Sequence, residues 1–229
     1  MPENKITIAV DGYASCGKST ISRALAKKLG YIFIDSGAMY RALTLYVLQH
    51  NINPEDETAI NQILPQVKIE FKHHKAEATN HTYLNGKDVE EAIRRMDVSA
   101  AVSPVAKIGL VRKTLVALQQ EMGKTGGVVM DGRDIGTVVF PHAQLKIFVT
   151  ASIEVRTDRR YNELISKGIQ ISREEVKQNL LERDYIDSHR ENSPLTQAPD
   201  AMVLDTSNLS PAEQLKQAYN WASKQITGN

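Results

Sequence analysis

The feature that most constrains this chain is an eight-residue stretch, Gly12-Tyr13-Ala14-Ser15-Cys16-Gly17-Lys18-Ser19, which fits G-x-x-x-x-G-K-[ST] at every fixed position. The run before it, Ile6-Thr7-Ile8-Ala9-Val10, is short, apolar and β-branched, and it stops at Asp11-Gly12 as a buried strand would. After it, Ile21, Ala24, Leu25 and Leu29 recur at helical spacing, with Gly30 placed to end the helix. Strand, glycine-bearing loop and helix together make a βα unit. The two glycines let the backbone fold tightly, so that successive N–H groups converge on one phosphate. Lys18 then reaches the β- and γ-phosphates of a nucleotide, and the following helix adds the positive end of its dipole. An isolated match can be an ordinary βα turn; the flanking strand and helix make this one a phosphate loop. Gly12, Tyr13, Ala14, Ser15, Cys16, Gly17, Lys18, Ser19 and Thr20 are therefore the expected contacts of the nucleotide phosphates. Cys16, the single cysteine, reads as a small loop filler, because phosphoryl transfer needs no thiol nucleophile.

The rest of the chain continues the α/β pattern. Tyr31 to Ile34 is a second short strand, and Ser36 can cap a helix carrying Met39, Leu43, Tyr46 and Val47. From about Val67 to Leu84 the pattern alternates, with an Asn85-Gly86 turn signal, which predicts an inserted antiparallel subdomain. A helical segment over roughly Ser99 to Met122 follows. Gly127 to Asp131 and Leu145 to Val149 restore buried strands. From about Ser152 to Arg190 the chain is helical, with eight basic and eight acidic residues between Glu154 and Arg190. Met202 to Asp205 is a last strand, and Pro211 to Ile226 a closing helix.

A phosphate loop does not name the acceptor. Asp35-Ser36-Gly37-Ala38-Met39-Tyr40-Arg41 begins where the second strand ends, at the sheet edge where open α/β folds bind ligands. Asp131-Gly132-Arg133-Asp134 also follows an apolar strand. Asp131 is placed to hold Mg²⁺ through water, opposite the Ser19 hydroxyl. Arg183, Asp187 and Arg190, at i, i+4 and i+7, would share one face of a helical flap. Each of these sets has a plainer reading as a solvated surface or a pair of exposed salt bridges. Their number has a chemical reason: donor and acceptor are both phosphates, and their repulsion must be neutralised by Lys, Arg and Mg²⁺. No general base is needed, since a monophosphate acceptor is already ionised.

Together these stretches, with Asp131-Gly132-Arg133-Asp134-Ile135-Gly136-Thr137-Val138-Val139-Phe140-Pro141 and Glu182-Arg183-Asp184, resemble the bacterial-type cytidylate kinases from the first strand to the last helix. The resemblance implies a P-loop nucleoside monophosphate kinase fold: α/β, with a five-stranded parallel sheet flanked by helices. It also implies a core over 1–62 and 97–229, a helical lid near 155–190, and a small antiparallel β insert over 63–96 that binds the monophosphate. The implied reaction is transfer of the γ-phosphate of ATP to CMP or dCMP, with Lys18, Arg133, Arg183 and Arg190 catalytic. Ser36, Tyr40, Arg41, Ser103, Arg112, Arg133, Asp134, Arg183, Asp187 and Arg190 would bind the acceptor, with Arg41, Arg133 and Arg190 on its phosphate and Ser103, Arg112 and Asp134 on cytosine. Other small-acceptor P-loop kinases (UMP/CMP, shikimate or dephospho-coenzyme A kinases) are the nearest alternatives. A regulatory nucleotide switch is a more distant one, because it has no use for acceptor arginines such as Arg41 and Arg133.

Net charge is +1, from 28 Lys+Arg against 27 Asp+Glu, which argues against bulk binding of polymeric nucleic acid. No apolar stretch approaches the roughly 20 residues that span a bilayer. The first ten residues lack the basic start and long apolar region of a secretory signal. The expectation is a cytoplasmic enzyme of small molecules, and the resemblance favours a monomer. His73, His74 and His81 cluster in the insert and read as part of a solvated hairpin rather than a metal site.

Overall fold

The computed structural model describes residues 5–74 and 79–228. In chain order the elements are β1 (Thr7–Gly12), α1 (Lys18–Leu29), β2 (Ile32–Asp35), α2 (Ser36–Gln49), α3 (Glu57–Ile63), β3 (Ile69–His74), β4 (Thr79–Leu84), β5 (Lys87–Asp88), α4 (Met96–Lys107), α5 (Gly109–Gly123), β6 (Val128–Gly132), β7 (Leu145–Thr150), α6 (Ile153–Ser166), α7 (Arg173–His189), β8 (Met202–Asp205) and α8 (Pro211–Thr227). Two compact units result: one runs to Phe33 and resumes at Gly123, and the other is Ile34–Met122.

The five-stranded parallel sheet has the order β2-β6-β1-β7-β8, so β1 is central. It pairs in parallel with β6, Val10 opposite Asp131, and with β7, Gly12 opposite Val149. Burial of β1, β6 and β7 on both faces explains their near-continuous apolar runs. Ile8, Val10, Ile21, Leu25, Val129, Ile147 and Leu204 form the core of this first unit, with Ala218 and Ala222 of α8. Trp221 packs against the same cluster.

In the second unit, Met39, Leu43 and Val47 of α2 pack with Ile60, Val98, Val105 and Leu115. Here lies the expected antiparallel segment. β3 and β4 pair from Ile69 opposite Leu84 to His74 opposite Thr79, and Asn85 and Gly86, at φ 48° and 81°, turn the chain into β5. Positive φ at both residues is what a tight hairpin turn of this hand demands.

Four local expectations are corrected. Asp35, not Ser36, caps α2: its carboxylate accepts the Ala38 N–H at 2.9 Å, and Ser36 is the first helical residue. The segment Ser99 to Met122 is two helices, broken at Ile108 in front of Gly109; Pro104 sits inside α4 without ending it. The stretch 152–190 is likewise two helices, and Gly168, at φ 74°, lies between them. Finally, α7 stops at His189. Arg190 has extended backbone, φ −66° and ψ 143°, so helical periodicity does not set where its side chain goes. Among the described residues, no helix is long and apolar enough to cross a membrane.

Candidate active site

The phosphate loop leaves the carboxyl end of the central strand. Gly12 is required there: at φ 147° it lies so close to β7 that a Cβ would stand 2.0 Å from the Val149 carbonyl oxygen. Ser15 (φ 58°) and Gly17 (φ 92°) are left-handed, and residues of that hand among right-handed ones curl the N–H groups toward a common point. Gly17 caps α1 with no side-chain bond, which suits the first helical amides to an anion. Lys18 is buried and donates to the Tyr13 carbonyl at 2.5 Å. Burial pushes its pKa down, and the Arg133 guanidinium acts in the same direction. Cys16 is fully buried and donates its S–H to the same carbonyl at 3.0 Å.

The end of β6 brings the second charged set beside the loop. The Ser19 hydroxyl donates to Asp131 Oδ2 at 2.5 Å. Arg133 Nε donates to Asp187 Oδ2 at 2.7 Å, and Arg190 Nη2 lies 3.7 Å from Asp134 Oδ1. Burial alone would raise the pKa of Asp187, but the Arg133 guanidinium holds it below the usual carboxylate range. Arg183 lies on the same α7 helix, one turn before Asp187, and is partly buried. Beyond Asp134 the chain makes a π-helical turn, Ile135–Val139, whose first two N–H groups donate to Asp11 at 2.7 Å each. Burial raises the pKa of Asp11 to about 6.

In the second unit, Asp35 spans two tasks: Oδ1 caps α2, and Oδ2 accepts Arg41 Nη2 at 2.9 Å. Burial alone would raise the Asp35 carboxyl, but the Arg41 guanidinium, the Ala38 N–H and the Arg94 charge together bring it below its ordinary range. Ser36 and Tyr40 are buried on α2, and the Arg112 guanidinium lies 5.4 Å from the centre of the Tyr40 ring. Arg112 also donates to the Ala106 carbonyl at 3.3 Å. Ser103 is partly buried on α4, so Ser103 and Arg112 stand on different helices. The His81 ring is buried rather than solvated: it stacks on His74 at 4.4 Å and meets Asp88 Oδ2 at 2.8 Å. The His73 side chain lies outside the described residues.

The model of the family described as cytidylate kinase matches residues 8–224. This chain belongs to the cytidylate kinase family. A cytidylate kinase of Phocaeicola vulgatus is 57% identical over 215 residues, covering 93% of this chain and 94% of that protein. One of Bacteroides thetaiotaomicron is 51% identical over 225 residues, covering 97% and 96%. Among solved structures, a gluconokinase of Sinorhizobium meliloti is 14% identical with a TM-score of 0.51, covering 98% of this chain and 95% of that one, a likeness of fold alone.

Sequence reading gave no role to three sets of residues beside the loop. Asp184 accepts the Ala14 N–H at 3.5 Å and is paired with Arg156, whose guanidinium lies 5.2 Å from the Tyr13 ring centre and contacts the Ala14 carbonyl at 3.4 Å. Arg159 and Thr206 tie the segment after β8 to the loop: Arg159 donates to Thr206 Oγ1 at 2.9 Å, and that hydroxyl donates to the Cys16 carbonyl at 2.9 Å. Asp11 is the third. The one available signal was a carboxylate closing an apolar strand immediately before Gly12. The partners of Arg156 and Thr206, 142 and 190 residues away, left no local mark.

Proposed function

We propose that this chain transfers the γ-phosphate of ATP to CMP or dCMP, releasing ADP and CDP or dCDP. The observation that carries the reading is a fully formed phosphate loop, with Lys18 and the Ser19–Asp131 contact, in a chain of the cytidylate kinase family. Lys18 meets the phosphates of ATP, exchanging the Tyr13 carbonyl for phosphate oxygens, and the amides from Ala14 to Ser19 hold the β-phosphate. The Ser19 hydroxyl and the Asp131 carboxylate are hard oxygen donors 2.5 Å apart, a pair that fits Mg²⁺ held by the hydroxyl directly and by the carboxylate through water. When bound, the ion neutralises charge on the β- and γ-phosphate oxygens.

Arg133, Arg183 and Arg190 in the first unit supply positive charge where it builds up during transfer, with Asp187 orienting Arg133. In the second unit, Arg41 is the acceptor-phosphate residue, held ready by Asp35. Ser36 and Tyr40 lie on the same helix as Arg41. Ser103, Arg112 and Asp134 read cytosine. The reaction takes small molecules in the cytoplasm, and the chain acts as a monomer.

The test is ADP formation from ATP and Mg²⁺ with CMP, dCMP, UMP, AMP and GMP offered separately. Turnover confined to CMP and dCMP is expected. Equal activity on UMP would make the chain a broader pyrimidine kinase, and no acceptor-dependent turnover would overturn the reading.

A further inference from the structure

The π-helical turn Ile135–Val139 opens with N–H groups that no carbonyl of the turn can satisfy. An aspartate at the cap position ordinarily accepts them with its own side chain. Asp134 stands at that position and makes no such bond. Instead the Ile135 N–H donates to Asp11 Oδ1 and the Gly136 N–H to Asp11 Oδ2, each at 2.7 Å. Asp11 belongs to β1, 124 residues earlier, and is 5% exposed. Asp134, relieved of capping, directs its carboxylate to within 3.7 Å of the Arg190 guanidinium.

We infer that Asp11 is a positioning residue: it caps the turn in place of Asp134 and so sets the direction of the Asp134 carboxylate toward the acceptor. Asp11 also precedes Gly12 directly, so one side chain joins the entry of the phosphate loop to the Arg133-Asp134 turn. The ionised carboxylate gives each of the two N–H groups an oxygen of its own. An amide would offer one oxygen and set its own N–H against the second. The inference rests on Asp134 reading the cytosine, and the experiment separates the two claims.

Asp11→Asn, Asp134→Ala and the double variant are compared in kcat/KM for CMP and UMP, KM for ATP and thermal midpoint. Asp11→Asn should lower kcat/KM for CMP about tenfold. It should shrink the CMP-to-UMP ratio as Asp134→Ala does, add little to that ratio in the double variant, and leave KM for ATP near its original value. If Asp134→Ala leaves the ratio intact, the base-reading role falls, and with it the purpose given to Asp11. If Asp134→Ala shrinks the ratio while Asp11→Asn does not, the positioning role alone is overturned. Should Asp11→Asn fail to fold, Gly136→Ala replaces it. Its Cβ would stand 3.2 Å from Asp11 Oδ2 and from Lys146 Cδ, so the turn must shift against these side chains by a few tenths of an ångström, and an unchanged ratio there also overturns the inference.

Discussion

The Ser19 hydroxyl and the Asp131 carboxylate, 112 residues apart in the chain, meet at 2.5 Å. The parallel register that sets Val10 opposite Asp131 brings the end of β6 level with the loop that leads into α1. Replacing Asp131 by Asn should keep the fold but raise the Mg²⁺ concentration for half-maximal velocity by about tenfold or more. A magnesium titration of both proteins at saturating ATP and CMP measures it; coincident curves would remove Asp131 from the metal's surroundings.

With the proposed role, Lys18→Ala should lower kcat by roughly 10²- to 10³-fold, because it removes a buried positive charge from the phosphate loop. Steady-state kinetics with CMP and with dCMP should show the same loss. A loss confined to one acceptor would mean that Lys18 serves acceptor choice rather than transfer.

Asp35 allows two effects to be separated. Asp35→Asn keeps an oxygen for the Ala38 N–H but gives up the charge that holds Arg41, so KM for CMP should rise with little change in thermal midpoint. Asp35→Ala loses the cap as well and should cost about 1 kcal/mol more in urea unfolding. If both variants bind CMP like the parent, Arg41 needs no such support.

Arg156 and Asp184 form a buried ion pair beside the loop. Arg156→Ala leaves the partly buried Asp184 carboxylate without its guanidinium and should destabilise the protein by about 3 kcal/mol. Removing Asp184 as well should restore part of the loss, since no unpaired charge then remains. Urea unfolding of the two single variants and the double variant gives the coupling, and strict additivity would dissolve the pair as an energetic unit.

Asp11 gives a pH dependence whose sign is opposite to that of a paired surface carboxylate. Burial raises its folded pKa from 3.8 to about 6. Between those values the unfolded chain has ionised this group while the folded protein retains the proton, so unfolding becomes easier as pH rises. The contribution is fully present below pH 3.8 and lost as pH passes about 6, a change of up to ~3 kcal/mol. Urea midpoints of the parent relative to Asp11→Asn should therefore fall between pH 4 and pH 7. A rising difference would reverse the assignment.

Much of the site could be read in one dimension because its parts are local. Two glycines, a lysine and a hydroxyl at fixed spacing describe a loop closed by its own backbone, and Asp35 to Arg41 lie on one strand end and one helix turn. The antiparallel insert was legible for the same reason, since alternation and an Asn-Gly turn act between neighbours. Asp35 and Ser36 are both good caps in sequence, and only the backbone angle at Asp35 decides between them. The i, i+4, i+7 spacing puts Arg190 on a helix face, but α7 ends one residue earlier, a boundary set by where the helix loses its last hydrogen bonds rather than by periodicity.

By itself the sequence determined the phosphate loop, the α/β class and the residue types that phosphoryl transfer needs, because each rests on short-range backbone geometry or on side-chain chemistry. Only the tertiary structure decided which charge meets which: Asp131 with Ser19, Asp187 with Arg133, Asp184 with Arg156, and Asp11 with the turn after Asp134. These partners come from strands and helices far apart in the chain. Their meeting follows from sheet order and register, properties of the whole packed chain that no single segment carries.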